Sequence, residues 1–162
     1  MHTPSPTRAG RADSSPRARH VLRVTVLGSG SRGNAVLIDG SEGSVLVDAG
    51  FGPRALCSRL LAVGRHPEEI HAVLLTHEHI DHAAGAAAAS ARWGWSVHAT
   101  AETLRALGDT DSGLPAHTHS LAATGQTRLS GFAVEHHAVP HDAADCRALV
   151  LTDGRSGARV GV

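Results

Sequence analysis

Seven consecutive residues, Thr76-His77-Glu78-His79-Ile80-Asp81-His82, limit what this chain can become more than anything else in it. They follow an apolar run, His71-Ala72-Val73-Leu74-Leu75, that reads as a strand, and they lead into an alanine-rich stretch, Ala83 to Arg92, that favours helix. Residues two apart on a strand project to the same side, so His77 and His79 can share one metal ion. Asp81 and His82 fall at the start of the helix, displaced enough to serve a second cation. Three imidazoles and a carboxylate within six residues supply borderline nitrogen ligands and one hard oxygen. That set suits Zn2+ and tolerates Mn2+ or Fe.

Composition narrows the function classes. The 15 basic residues, all Arg, balance 15 acidic ones, so the net charge is zero. Such a chain lacks the bulk positive field that draws proteins to nucleic acid without sequence preference. Aromatic residues make up 2%, which leaves base stacking little to work with and a core of Ala, Val and Leu. No apolar run approaches the roughly 18 residues that a membrane span needs, so no membrane partner is expected. Cys57 and Cys146 lie far apart and in no CxxC pair, which reads as reduced thiols in a cytoplasmic protein.

Residues 1 to about 20 carry Pro, Ser and Arg with almost nothing to bury and read as a disordered tail. A globular domain is expected over 21–162. Val21 to Leu27 predicts a strand, Asn34–Ile38 and Ser44–Val47 a hairpin about Asp39-Gly40, and Pro53 the start of a helix that Gly64 closes. Trp95–Ala99 predicts a strand and Thr100 the cap of a short helix ending at Gly108. The remainder reads as mostly β, with strands around His119–Leu121, Thr127–His137, Cys146–Leu151 and Ala158–Val162. Interleaved elements followed by strands predict an α/β sandwich with mixed sheets.

Gly28-Ser29-Gly30-Ser31-Arg32-Gly33 matches the dinucleotide-binding GxGxxG, and Asp48 stands twenty residues after Gly28. That chemistry requires a helix N-terminus at the glycine loop to hold the pyrophosphate. Ala35-Val36-Leu37-Ile38-Asp39-Gly40 is a strand and a turn instead, so the loop serves a substrate or the metal site.

The motif His77-x-His79-x-Asp81-His82 resembles the metallo-β-lactamase-fold hydrolases. Val47-Asp48-Ala49-Gly50 is similar to that family's earlier aspartate-glycine motif. The segments Leu27 to Asn34 and Val139-Pro140-His141-Asp142-Ala143 are similar to its subgroup of YycJ-type exonucleases and phosphodiesterases. The resemblance implies an αββα sandwich whose second half is incomplete here, the family's bridging aspartate and last histidine being expected beyond Val162. It implies metal ligation by His77, His79, Asp81, His82 and His141, with Asp81 catalytic and Asp48 supporting the metal loop. Ser31, Arg32 and Asn34 are the expected substrate contacts. A complete family site holds two Zn2+, and one tight ion is expected here. Asp153, in Thr152-Asp153-Gly154, comes too soon to be the bridging ligand and reads as a turn residue. His136, His137, His117, His119, His66, His71 and His98 are expected to be non-ligands.

The implied function is metal-assisted hydrolysis of a phosphodiester, in nucleic acid or a small molecule. The alternatives are hydrolysis of small esters, lactones or thioesters on the same fold, and a catalytically inactive metal-binding fragment. An incomplete second half is also expected to expose apolar sheet and favour self-association.

Overall fold

The computed structural model describes residues 21–111, 113–122 and 126–162, so the expected tail lies outside the described residues. Ten strands form two sheets. The first holds β1 (Arg23–Gly28), β2 (Ala35–Asp39), β3 (Ser44–Val47), β4 (Ala72–Leu74), β5 (Ser96–Thr100) and β6 (Thr118–Leu121) in that order. β1, β2 and β3 pair antiparallel, and β3 through β6 pair parallel. The second sheet is antiparallel, in the order β10 (Arg159–Gly161), β9 (Arg147–Asp153), β8 (Phe132–Ala138), β7 (Gln126–Leu129).

Helices α1 (Pro53–Ala62), α2 (Ile80–Ala83), α3 (Ala86–Trp93) and α4 (Ala101–Gly108), with a 3-10 turn at Pro67–Glu69, complete the described elements. Pro53 opens α1, where its missing N–H costs nothing, and the Thr100 hydroxyl accepts from the Thr103 amide to cap α4.

Two apolar layers hold these pieces together. Leu37, Leu46, Val73 and Val97 pack with Leu56 and Leu60 of α1 on one face of the first sheet. Ile38, Val45, Val47 and Leu74 pack on its other face against Phe132, Val134, Leu149 and Leu151 of the second sheet. β3 and β4 are therefore buried on both faces, as the central strands of a parallel sheet must be. The result is an αββα-type sandwich, partial in extent. The outward face of the second sheet carries Glu135, His137 and Thr152, whereas exposed apolar side chains fall at the β1 edge, on Val24 and Val26.

Two elements differ from the sequence reading. The alanine-rich helix is broken between α2 and α3, because the Gly85 amide donates to the Ala49 carbonyl at 2.8 Å while the Asp81 carbonyl accepts from the Asn34 amide at 2.7 Å, so the two do not bond each other along the helix. The stretch from Thr127 to His137 is two strands, turned at Ser130-Gly131, where both residues adopt positive φ. Asp153 is buried at the end of β9 and accepts from the amides and hydroxyls of Ser41 and Ser156. Although burial opposes it, those hydrogen bonds from Ser156 and Ser41 hold its carboxyl well below the ordinary carboxylate range. It staples the β2–β3 turn to the second sheet, at the opposite end of β3 from the histidine cluster.

Candidate metal centre

The cluster lies where α/β sheets place their ligands, beyond the C-terminal ends of the parallel strands β3 and β4. Asp48 follows β3 with φ of 59°, a left-handed conformation that a short carboxamide or carboxylate residue tolerates. That turn lays Asp48-Ala49-Gly50 against the turn that carries the histidines. Ala49 N–H donates to the His82 carbonyl at 2.7 Å, and a Cβ at Gly50 would meet the Asp81 carbonyl oxygen at 1.7 Å.

His77, His79 and His141 converge, each offering a nitrogen within 4.8 Å of the other two. Their ring centroids are 4.7 to 5.0 Å apart. Hydrogen bonds on His77 and His79, and the Asp142 carboxylate beside His141, leave one nitrogen free on each ring. The Thr76 hydroxyl lies 3.0 Å from both Asp48 oxygens and donates to that carboxylate, so it accepts from His77 Nδ1–H at 2.9 Å. This leaves the lone pair on His77 Nε2, which is buried and has no hydrogen-bond partner. His79 Nε2–H donates to the Asp142 carbonyl at 3.0 Å, which leaves Nδ1. His141 Nδ1 faces Asp142 Oδ1 at 3.3 Å, which leaves Nε2.

A buried imidazole nitrogen without a partner is costly in an apolar setting and ordinary for a ligand awaiting its ion. Carboxylate-oriented histidine is also the usual outer support of a metal site. The donor set therefore fits a divalent cation.

Asp81 and His82 form an adjacent group. His82 Nδ1 lies 2.7 Å from Asp48 Oδ2, and His82 Nε2 lies 3.5 Å from Asp81 Oδ2. The Asn34 amide nitrogen sits between them, 3.1 Å from each of those two atoms. One carboxylate, Asp48, thus orients His82 directly and His77 through Thr76. Burial, and then the neighbouring His82, pushes His77 below the ordinary imidazole range and favours its neutral, ligating form. The hydrogen bond to Asp48 pushes His82 up.

His141 arrives on the loop between β8 and β9, and its side chain is 41% exposed against 4% for His77. The loop is tethered at several points. The Ala144 amide donates to Glu78 Oε1 at 2.7 Å, the Thr103 hydroxyl to the Asp145 carbonyl at 3.0 Å, and Arg147 pairs with Asp145 at 2.8 Å. A cleft of about 450 Å³ opens here between Asp48, His77, His82, His141, Cys146 and Arg147. Burial first, then the charges of Asp48 and Glu78, pushes the Cys146 thiol up, so it faces the cleft protonated.

The structure thus brings His77, His79 and His141 together and places Asp81 and His82 beside them. Ser31 and Arg32 line a neighbouring cavity, and the Asn34 side chain is engaged between the glycine loop and the Asp81–His82 pair. Thr76, Glu78 and Asp142 are supporting residues that the sequence reading missed. Thr76 was the findable one, a hydroxyl at a strand end directly before a paired-histidine motif. Of the other histidines, His136 turns inward and is buried, while His117, His119 and His137 are exposed.

Comparison with known proteins agrees with this geometry. The exodeoxyribonuclease WalJ of Streptococcus pneumoniae is 33% identical over 127 residues, which are 73% of this chain and 47% of that protein. The exodeoxyribonuclease YycJ of Bacillus anthracis is 30% identical over 125 residues, which are 76% and 47%. The chain spans about half the length of these curated relatives. Among solved structures, a subclass B3 metallo-beta-lactamase from a soil metagenome library, MEM-A1, gives a TM-score of 0.67 at 23% identity, covering 85% of this chain and 58% of that one. A metallo-beta-lactamase of Cronobacter sakazakii gives 0.69 at 21% identity, covering 85% and 54%. At these identities the structural likeness shows the fold. Residues 28–150, which carry the glycine loop, Asp48, the Thr76–His82 turn and His141, match the metallo-beta-lactamase superfamily, and the chain belongs to that family.

Proposed function

We propose that this chain is a metal-dependent phosphodiesterase of nuclease type, hydrolysing phosphodiester bonds in nucleic acid with water. The observation that carries the reading is the set of three imidazole nitrogens turned toward one point, with His77 Nε2 buried and unpartnered. The similarity to two exodeoxyribonucleases supports phosphodiesters ahead of esters and lactones as the substrate class.

His77, His79 and His141 hold one divalent cation, Zn2+ first with Mn2+ or Fe as the other candidates, and Asp81 with His82 offers a weaker second position. A cation held there polarises the phosphoryl group and lowers the pKa of bound water to about 7. Asp48 and Thr76 keep His77 in the tautomer that leaves its Nε2 free, and Asp48 fixes the His82 ring, whose Nε2 lies between Asn34 and Asp81. Asp81 Oδ2, held by the Asn34 carboxamide at 3.1 Å, would accept the proton of the attacking water. The two free thiols, Cys57 and Cys146, fit a reducing compartment, and we place the protein in the cytoplasm. Among the described residues no helix is long and apolar enough to cross a membrane.

The test is turnover by the full chain, supplied with Zn2+ or Mn2+, of bis-p-nitrophenyl phosphate and a single-stranded oligodeoxynucleotide, beside p-nitrophenyl acetate and a lactone. Phosphodiester cleavage is expected, falling at least about a hundred-fold in His77→Ala, more than loss of an outer support costs. Turnover of the ester or lactone alone would overturn the reading, as would intact metal binding without any turnover.

A further inference from the structure

The mechanism leaves one polar cavity unused. It has a volume of about 340 Å³ and is enclosed by the glycine loop from Gly28 to Gly33, Phe51 and Arg59. The loop is wrapped on the Phe51 ring so closely that a Cβ at Gly28 or Gly33 would stand 2.5 Å from a ring carbon. The Arg59 guanidinium lies 4.0 Å from the centre of the same ring, and its Nη1 donates to the Leu27 carbonyl. Those two contacts fix the planar group and leave its remaining N–H donors unspent. Arg32 extends from the loop beside it, and Ser29 and Ser31 add hydroxyls.

Neither Arg32 nor Arg59 has a carboxylate within 4.0 Å among the described residues, whereas Arg65, Arg147 and Arg159 each do. A cation immobilised by stacking and a backbone carbonyl, with no acid to balance it, is a prepared place for an anion. The cavity is one side chain away from the metal centre. Asn34 bonds Gly30 at both its N–H and its carbonyl, and the same carboxamide reaches Asp81 Oδ2. An anion in this cavity therefore sits beside a group bound in the cleft, without being in it.

We propose that the cavity formed by the glycine loop, Phe51 and Arg59 is a phosphate subsite that takes a neighbouring phosphate of the strand being cut. The proposal rests on the phosphodiesterase reading above and gives it a polymeric substrate. A small diester fills the cleft only, and a nucleic acid strand fills both places. Free inorganic phosphate shares the same chemistry, so the test separates the two sources.

Two variants of the full chain are compared with the wild type. Arg59→Met removes the guanidinium and keeps an apolar side chain of similar length beside Phe51, and Arg32→Ala changes an exposed loop position. With a short single-stranded oligodeoxynucleotide, each substitution is expected to raise KM about ten-fold. Each is also expected to reduce the slope of log KM against log salt concentration by about 0.7, the signature of one lost phosphate contact on a single strand. The KM for bis-p-nitrophenyl phosphate should shift at most about two-fold in Arg59→Met. In parallel, metal-free protein is titrated with inorganic phosphate while the amide resonances of Gly30 and Ser31 are followed by NMR. Saturable shifts that vanish in Arg59→Met are expected.

An unchanged oligonucleotide KM and salt slope in both variants would overturn the subsite while leaving phosphodiester hydrolysis standing. Phosphate shifts at Gly30 without any oligonucleotide effect would overturn the strand as occupant in favour of the free ion. Should the wild type cleave neither phosphodiester, the functional reading fails. The metal-free titration then still decides whether an anion binds, and an absence of shifts overturns the subsite as well.

Discussion

One pair of histidines follows β4 of the first sheet and another sits on β5 and β6, and only the first is built for a metal. His77 and His79 leave the end of β4 with their second nitrogens tied to Thr76 and Asp142, and their free lone pairs converge with that of His141. His98 and His119 face each other across β5 and β6 with rings stacked at 16° and centroids 4.7 Å apart. There, His98 Nε2 is spent on the Ser96 hydroxyl at 3.0 Å. Stacked rings point their nitrogens in parallel, whereas the edge-on rings of the cleft aim theirs at a shared point. Among the described residues no carboxylate pairs with either ring of the second pair. What separates a metal site from a histidine-rich strand is thus the acceptor behind each ring, and histidine number alone says little.

The largest effect is expected from removing that acceptor. Asp48→Asn preserves a residue that tolerates φ of 59° but weakens the hold on Thr76 and His82 together. Metal affinity, measured by competition with a chromophoric chelator, should fall about 10- to 100-fold. Affinity within two-fold of wild type would show that the carboxylate is dispensable and would erase the contrast between the two pairs.

The second pair makes its own prediction, in stability. Burial, with His119 beside it, pushes the His98 imidazole down to about 4. The unfolded chain, with an ordinary imidazole near 6.5, then binds the proton first, so this contribution is intact above pH 6.5 and is lost as pH falls from 6.5 toward 4. Urea unfolding of metal-free protein should lose about 1–2 kcal/mol over that window, allowing for partial solvent access. His98→Gln should flatten this loss without altering metal stoichiometry; a changed stoichiometry would mean that the pair is a ligand site after all.

The smallest effect concerns how the cleft recruits a third ring. Glu78 holds the His141 loop through the Ala144 amide, a bond worth about 0.5–1.5 kcal/mol. Glu78→Ala should weaken metal binding about two- to ten-fold, with Glu78→Gln, which retains an oxygen acceptor, close to wild type. Equal loss in both variants would show that the negative charge is the determinant, and the hydrogen bond incidental.

The histidine turn, the hairpin, the Pro53 helix and the Thr100 cap were legible in the sequence because each rests on local chemistry: periodicity, a turn dipeptide, a cap. The break at Gly85 was not, since the carbonyl that draws its amide out of the helix belongs to Ala49, far earlier in the sequence. Nor were Glu78 and Asp142, whose partners belong to other segments. Alternation shows that Glu78 points away from the metal face and is silent about the amide it meets there. The Ser130-Gly131 turn was readable as a dipeptide signal and was passed over inside a run of β-favouring residues.

Gly50 and Gly85 carry a lesson for anyone transplanting this centre. Each meets main-chain oxygen where a methyl group would have to be, so no rotamer change nearby can make room. A graft that copied the imidazoles and acids onto a new scaffold but admitted alanine at either place would prise the two turns apart and scatter the ligands it had carefully reproduced.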